Sequence, residues 1–178
     1  MLDEPAKEIG CGTCTLCQVE CPTGALNEDY VIDSNRCLSY WTIEQRGTIP
    51  EKYWPWLGKY YFGCDICQLV CPYNKEASAN QLDDKIPIRK YPSLFEIATM
   101  DQRKYEIAFG GTAMTRAKRN GLRRNALIAM TVTGDSRLGE AMARARVDGG
   151  YPIDETLVQI ENYRDGYLHG CSTLKTKL

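Results

Sequence analysis

Eight of the nine cysteines in this 178-residue chain fall between Cys11 and Cys71, at spacings that suit metal chemistry. Cys11, Cys14, Cys17 and Cys21 are separated by two, two and three residues, and Pro22 follows the last. Cys64, Cys67 and Cys71 repeat the second part of that run fifty positions later, again with a proline, Pro72, after the last cysteine. Such self-similarity marks a duplicated supersecondary unit. Soft anionic thiolates at this density suit sulfide-bridged iron, and the first run is the one that holds [4Fe–4S] clusters. A cubane of that kind carries single electrons, so the expected core activity is electron transfer.

In two-cluster bacterial ferredoxins the three closely spaced thiolates wrap one cubane, and the fourth, displaced by three residues, ligates the other. The second run lacks a cysteine at its first position, where Tyr61 stands, and Cys37 is the spare candidate. If the aromatic-rich segment 38–63 is an insertion between the first and second ligands of the second motif, Cys37 fills the vacancy. Cluster 1 then takes Cys11, Cys14, Cys17 and Cys71, and cluster 2 takes Cys37, Cys64, Cys67 and Cys21. By analogy with two-cluster ferredoxins, this crossing holds the clusters about 12 Å or less apart. Gly10, Gly12 and Gly63 are expected to permit close backbone approach. The competing metal is structural zinc, but its sites draw on separated cysteine pairs, and three cysteines within seven residues crowd that pattern. A disulfide framework fits less well than either.

Composition narrows the setting. The chain is 43% hydrophobic and 25% charged, an ordinary globular balance. The formal charge of −1 hides an asymmetry: residues 1–75 hold six Lys/Arg against ten Asp/Glu, and residues 76–178 hold sixteen against thirteen. The two parts therefore suggest different partners, while a pI near 5.9 argues against a general nucleic-acid binder. No run of about 18 apolar residues predicts a membrane span, and the acidic start lacks a secretory signal. A cytoplasmic protein is expected, where thiols stay reduced and serve metals.

The elements that must position these residues divide near residue 78. Residues 1–78 read as a ferredoxin-like domain and residues 79–178 as an α-helical domain of the HEAT type, giving a mainly α chain with little β. Tyr30–Ile32 is expected as a short strand, with Ala25 and Leu26 as partner. The insertion carries Trp41, Trp54, Trp56, Tyr60, Tyr61 and Phe62, read as a small core around the clusters or, alternatively, a ligand or partner surface. Ser93 and Glu96 form a capping-box signature, Asp101 can cap a helix through Phe109, and Gly110-Gly111 ends it. Thr115–Val132 reads as a longer helix with an apolar second half, which must be buried. Helices over 136–147 and 154–164 follow, the last closed by Gly166.

The surrounding residues add a resemblance. Cys11-Gly-Thr-Cys14 through Ala25, Arg36-Cys-Leu-Ser-Tyr-Trp-Thr-Ile-Glu44, Gly47-Thr-Ile-Pro50, Phe62-Gly-Cys-Asp65 and Cys67-Gln-Leu-Val-Cys-Pro72 resemble the iron–sulfur domain of epoxyqueuosine reductases. Arg116-Ala-Lys-Arg119 and Gly121-Leu-Arg-Arg-Asn-Ala126 are similar to that family's helical C-terminal domain. The resemblance spans roughly residues 10 to 130. It implies reduction of the epoxide of epoxyqueuosine to queuosine at the wobble position of the tRNA anticodon, with cobalamin reduced by two [4Fe–4S] clusters. The related cobalamin-dependent reductive dehalogenases share this electron-supply module. The family's cobalamin-binding domain precedes the clusters, and here only ten residues do. The expectation is an electron-supplying, tRNA-facing portion that works with a separate cobalamin-binding domain or redox partner protein. It leaves the catalytic acid unassigned.

The family's tRNA surface falls on a basic stretch: Arg116, Lys118, Arg119, Arg123 and Arg124 lie within Thr112–Asn125, which holds no acid. At 100° per residue Arg116, Arg119 and Arg123 share a face. They are expected to contact phosphates, the alternative being a solvated helix face. His169 and Cys171 read as tail residues, Cys171 a free thiol. Two other functions remain open on the sequence: a stand-alone two-cluster carrier docking a protein partner, and an RNA-binding module with structural clusters.

Overall fold

The computed structural model describes residues 10–74 and 91–168. The expected boundary near residue 78, and both His169 and Cys171, lie outside the described residues. The first part contains three short helices, α1 (Leu16–Glu20), α2 (Trp54–Leu57) and α3 (Ile66–Leu69). The second contains α4 (Leu94–Thr99), α5 (Gln102–Phe109), α6 (Lys118–Thr133), α7 (Leu138–Val147) and α8 (Ile153–Leu168).

The described chain is mainly helical, as expected, and its β content is a single isolated bridge between Glu28 and Val31. The expected strand over Tyr30–Ile32 does not form. Tyr30 takes a positive φ of 62°, which breaks an extended run, and Asp33 then caps the 3-10 turn Ser34–Arg36 by accepting from the Asn35 amide.

Local signals in the second part act as read. The Ser93 hydroxyl accepts from the Glu96 amide and the Glu96 carboxylate accepts from the Ser93 amide, closing the capping box of α4. Asp101 caps α5 by accepting from the Lys104 amide at 2.8 Å. The long helix starts later than expected. Ala113–Ala117 forms a 3-10 turn, and Lys118 has a φ of 61° that interrupts a regular helix there. At the other end, α8 runs through Gly166 rather than stopping at it.

Helix α6 is the axis of the molecule, because all ten residues from Gly121 to Met130 are buried. Helices α2, α4, α7 and α8 pack around it. Its core neighbours include Ile97, Phe109, Ala141, Ile153 and Ile160, and also Leu38, Ile49, Tyr53, Trp54 and Leu57 from the insertion. The insertion therefore does not build a core of its own around the clusters. Trp54, fully buried, donates from Nε1 to the Ile49 carbonyl at 2.9 Å and lies 4.9 Å from the Tyr163 ring. Its apolar half is one layer of the helical core, continuous with α6.

Candidate metal centres

The eight cysteines gather in two sets. One cavity is lined by Cys11, Cys14, Cys17 and Cys71, with Leu16, Pro72 and Tyr73. The second is lined by Cys21, Cys37, Cys64 and Cys67, with Pro22, Leu38 and Ile66 among the apolar walls. Each set takes its last member from the opposite end of the segment: Cys71 joins the N-terminal run, and Cys21 leaves that run for the second. Short helices α1 and α3 pack against each other and bring the two runs together.

The two cavities differ in setting. Cys11 and Cys14 are exposed, whereas the four thiols of the second set are all half-buried. Burial raises the Cys64 and Cys67 thiols above their ordinary value, and the nearby Cys37 and Cys21 thiols push in the same direction. Cys21 behaves oppositely. Burial raises it, but amide donors at Thr23, Ala25 and Leu26 outweigh that effect and hold it below the ordinary thiol value. The Ala25 amide donates to its sulfur at 3.3 Å. Four thiols crowded in a partly dry cavity repel one another as anions, and a cationic iron core relieves that repulsion. The four thiols of each set line one cavity.

Neighbouring residues hold the ligand backbone in place. Tyr30 accepts from the Cys11 amide at 3.2 Å, and Tyr73 donates to the Gly10 carbonyl at 2.9 Å. On the second side, the Ser39 hydroxyl accepts from the Cys64 amide at 2.9 Å, and the Thr42 hydroxyl accepts from the Gly63 amide at 3.0 Å. Gly63 has a φ of 74°, so glycine is what lets the chain turn into Cys64 without steric cost. The Trp41 Nε1 and the Tyr53 hydroxyl both donate to the Asn35 carbonyl at 2.8 Å, fixing the approach to Cys37. None of these supports was legible from cysteine spacing.

The basic residues do not form the stripe that the helical wheel suggested. Arg116 and Lys118 are exposed, and Arg116 pairs with Glu44. Arg119 is mostly covered and bonds Asp148 at 2.8 Å. Arg123 and Arg124 are 1% and 0% exposed, which removes them as phosphate contacts. Arg123 donates to the Ala98 carbonyl and to Asp148. Arg124 donates to the carbonyls of Trp41, Gln45 and Gly47 and to the Asn125 side chain. The physical reason is that α6 is covered on every side along this stretch. Its basic side chains therefore point into neighbouring backbone, where carbonyls replace water as acceptors. Burial lowers Arg124 to about 10, which still leaves it charged at neutral pH.

A family profile described as a 4Fe-4S double cluster binding domain matches residues 10–74. Epoxyqueuosine reductase of Shigella dysenteriae serotype 1 is 35% identical over 167 residues, covering 93% of this chain and 39% of that protein. The structure of epoxyqueuosine reductase from Bacillus subtilis superposes with a TM-score of 0.76 at 27% identity, covering 89% of this chain and 43% of that one. A structure of epoxyqueuosine reductase with an epoxyqueuosine-modified tRNA stem loop gives a TM-score of 0.73 at 27% identity, covering 89% and 42%. The chain thus spans about two fifths of the length of the curated relative it matches. Through the double-cluster domain and the helices packed on it, the chain is similar to the cluster-bearing part of epoxyqueuosine reductases.

Proposed function

We propose that this chain delivers electrons through two [4Fe–4S] clusters within an epoxyqueuosine reductase-like enzyme that converts epoxyqueuosine to queuosine in tRNA. The observation that carries this reading is the crossed pair of cysteine cavities. Cys11, Cys14, Cys17 and Cys71 would hold cluster 1, and Cys37, Cys64, Cys67 and Cys21 would hold cluster 2. Crossing gives each cluster a ligand from both runs, so neither forms without the other run in place, and short α1 and α3 keep them adjacent.

Cobalamin, the cofactor that the resemblance implies, would accept the electrons and supply the reducing centre. No residue of this chain is assigned to it. The protein's own contribution is to shape the two cavities, exclude water from the second, and present a surface to the tRNA anticodon region. Exposed Arg116 and Lys118 remain as candidate phosphate contacts, and a similar solved structure holds an epoxyqueuosine-modified tRNA stem loop. In this reading residues 1–78 form the cluster part and residues 79–178 a HEAT-like part, working in the cytoplasm, where thiols are kept reduced.

Anaerobic reconstitution tests the reading. About eight irons and eight sulfides per chain are expected, with a broad band near about 400 nm that bleaches on reduction. Cys21→Ser should disturb mainly cluster 2 and Cys71→Ser mainly cluster 1, resolved by electron paramagnetic resonance. A protein that takes up only zinc, or the reverse pattern of disturbance, would overturn it.

A further inference from the structure

The segment that supplies Cys37 and leads to Cys64 is held from outside the cluster part by two adjacent residues of α6. Arg124 reaches 83 residues back to the Trp41 carbonyl at 2.9 Å, and also bonds the Gln45 carbonyl at 2.8 Å and the Gly47 carbonyl. Asn125 donates from Nδ2 to the Thr42 carbonyl at 2.7 Å and to the Tyr61 carbonyl at 2.8 Å. Its Oδ1 accepts from Arg124 Nε at 3.0 Å and Nη2 at 2.9 Å, so the two side chains form one unit. Both are fully buried.

The carbonyls they bind belong to the π-helical turn Tyr40–Glu44, to Gln45 and Gly47 just after it, and to Tyr61, two residues before Gly63. A helix end leaves carbonyls without intrahelical partners, and a planar guanidinium can satisfy several at once. The same turn carries the last links to the ligands. Thr42 donates to the Leu38 carbonyl at 2.8 Å while accepting from the Gly63 amide, and Ser39 both accepts from the Cys64 amide and donates to its carbonyl. Hydrogen bonds and short stretches of chain thus link the α6 side chains Arg124 and Asn125, through Thr42 and Ser39, to Gly63 and Cys64, flanking Cys37. No comparable contact from α6 reaches Cys11, Cys14 or Cys17 among the described residues.

We infer that Arg124 and Asn125 are positioning residues for the Cys37/Cys64 side of the second centre. Acting through Ser39 and Thr42, they make that centre's ligand geometry depend on the packing of the helical part. The inference rests on the two-cluster reading, and it goes beyond that reading by coupling one centre and not the other to α6. A guanidinium held by neutral carbonyls in a dry site keeps its charge, so the frame is also electrostatically stiff. Loosening it lets the Cys37 and Cys64 sulfurs drift and lets water in, and both change the potential of a bound cluster.

The test compares four variants of the full chain after anaerobic reconstitution, each by iron content and by redox titration followed with electron paramagnetic resonance. Arg124→Lys keeps the charge but cannot reach all three carbonyls, and Thr42→Val keeps the volume but removes the acceptor for the Gly63 amide. Ser39→Ala cuts the last link alone, which keeps the test readable where Arg124→Lys folds poorly. Arg123→Lys is the control, because Arg123 lies on the same helix, equally buried, yet among the described residues bonds Ala98, Asn120 and Asp148 rather than the segment 40–64. The expected result is a shifted potential for the Cys37 centre, or a fall from about eight to about four irons per chain, in the first three variants. The Cys11 centre should stay unchanged in them, and the control should leave both potentials unchanged. Equal disturbance of both centres, no disturbance of either, or the same pattern in the control would overturn the inference. A wild-type chain without clusters would instead remove the two-cluster reading beneath it.

Discussion

Asp148 joins two guanidinium groups of the same helix: Arg123 Nη2 meets its Oδ1 at 2.6 Å and Arg119 Nη1 meets its Oδ2 at 2.8 Å. The two arginines are one helical turn apart on α6, and Asp148 follows α7, so a single carboxylate ties the end of α7 to the central helix. Arg119 and Arg123 also donate to the Met100 and Ala98 carbonyls, which adds the end of α4 to the same knot. This geometry explains why a stretch that reads as a nucleic-acid surface is internal. Its charge is matched by an acid 25 residues away from Arg123, beyond the reach of any local helical pattern.

Removing that acid should therefore cost more than a surface ion pair does. In Asp148→Asn the 1%-exposed Arg123 keeps the Ala98 carbonyl but loses its charged partner. Because the Asp148 side chain is itself 47% exposed, water recovers part of the loss. The expected destabilisation is about 1–3 kcal/mol, between the surface and buried limits. Urea unfolding checks it: the midpoint should fall while the slope is retained.

The same pair predicts the acid limb of the stability curve. Burial raises the Asp148 carboxyl, but the hydrogen bond from Arg119 and the charge of Arg123 outweigh it and hold the group below its ordinary value. A depressed folded-state pKa contributes stability that is fully present above the unfolded value of about 3.9 and is lost as pH falls through the folded one. Wild type and Asp148→Asn should therefore converge in stability as pH drops below about 4. A gap that stays constant down to the lowest accessible pH would show that Asp148 acts by packing alone.

On the exposed side, Arg116 is paired with Glu44, and this pair sets a prediction for anion binding. Glu44→Gln frees the guanidinium and removes a negative charge, so it should tighten binding of a tRNA anticodon stem loop. Arg116→Ala and Lys118→Ala should each weaken it about uniformly across sequences and reduce the salt slope by about one. Filter binding over a range of salt reads both effects. An Arg116→Ala variant with unchanged slope would remove this edge from the proposed RNA surface.

The cysteine pattern carried more of the site than of the fold. Spacing grouped the cysteines as the two cavities do, because members of a run lie two or three residues apart, and Cys37 entered through the vacancy at Tyr61. The supports did not follow, since Arg124 and Asn125 act on carbonyls 64 to 83 residues away in sequence and no local period encodes such a contact. Capping was legible at Ser93 and Asp101 because a cap is satisfied within three residues. The β-prone residues of Tyr30–Ile32 predict a strand but say nothing of the positive φ at Tyr30 that interrupts it. The aromatic insertion reads as a small core around the clusters or as a ligand or partner surface, whereas Trp54 packs against Tyr163 of α8.

That last contact makes Trp54 a test of whether the insertion and the helices form one cooperative unit. Trp54→Ala removes a fully buried ring and the donor to the Ile49 carbonyl, and should cost about 3–5 kcal/mol. If the core is shared, unfolding followed by far-ultraviolet circular dichroism and by cluster absorbance should shift together. Separate transitions, with helical signal unaffected, would place Trp54 in an independent unit.

Gly121 offers a change in the stabilising direction. It lies inside α6, where glycine costs about 1 kcal/mol relative to alanine through backbone entropy. A Cβ added there would meet only the Ala117 Cβ, at 3.7 Å, an ordinary contact distance. The helix is regular at this point, so no left-handed conformation demands glycine. Gly121→Ala should therefore raise stability by about 0.5–1 kcal/mol, which corresponds to roughly 1–4 °C in a chain of this size. The methyl group adds apolar contact between α6 and the preceding 3-10 turn without touching Arg124 or Asn125, so both cluster signals should stay as in wild type. A lowered melting temperature would mean that this face of α6 is packed more tightly than the 3.7 Å approach implies.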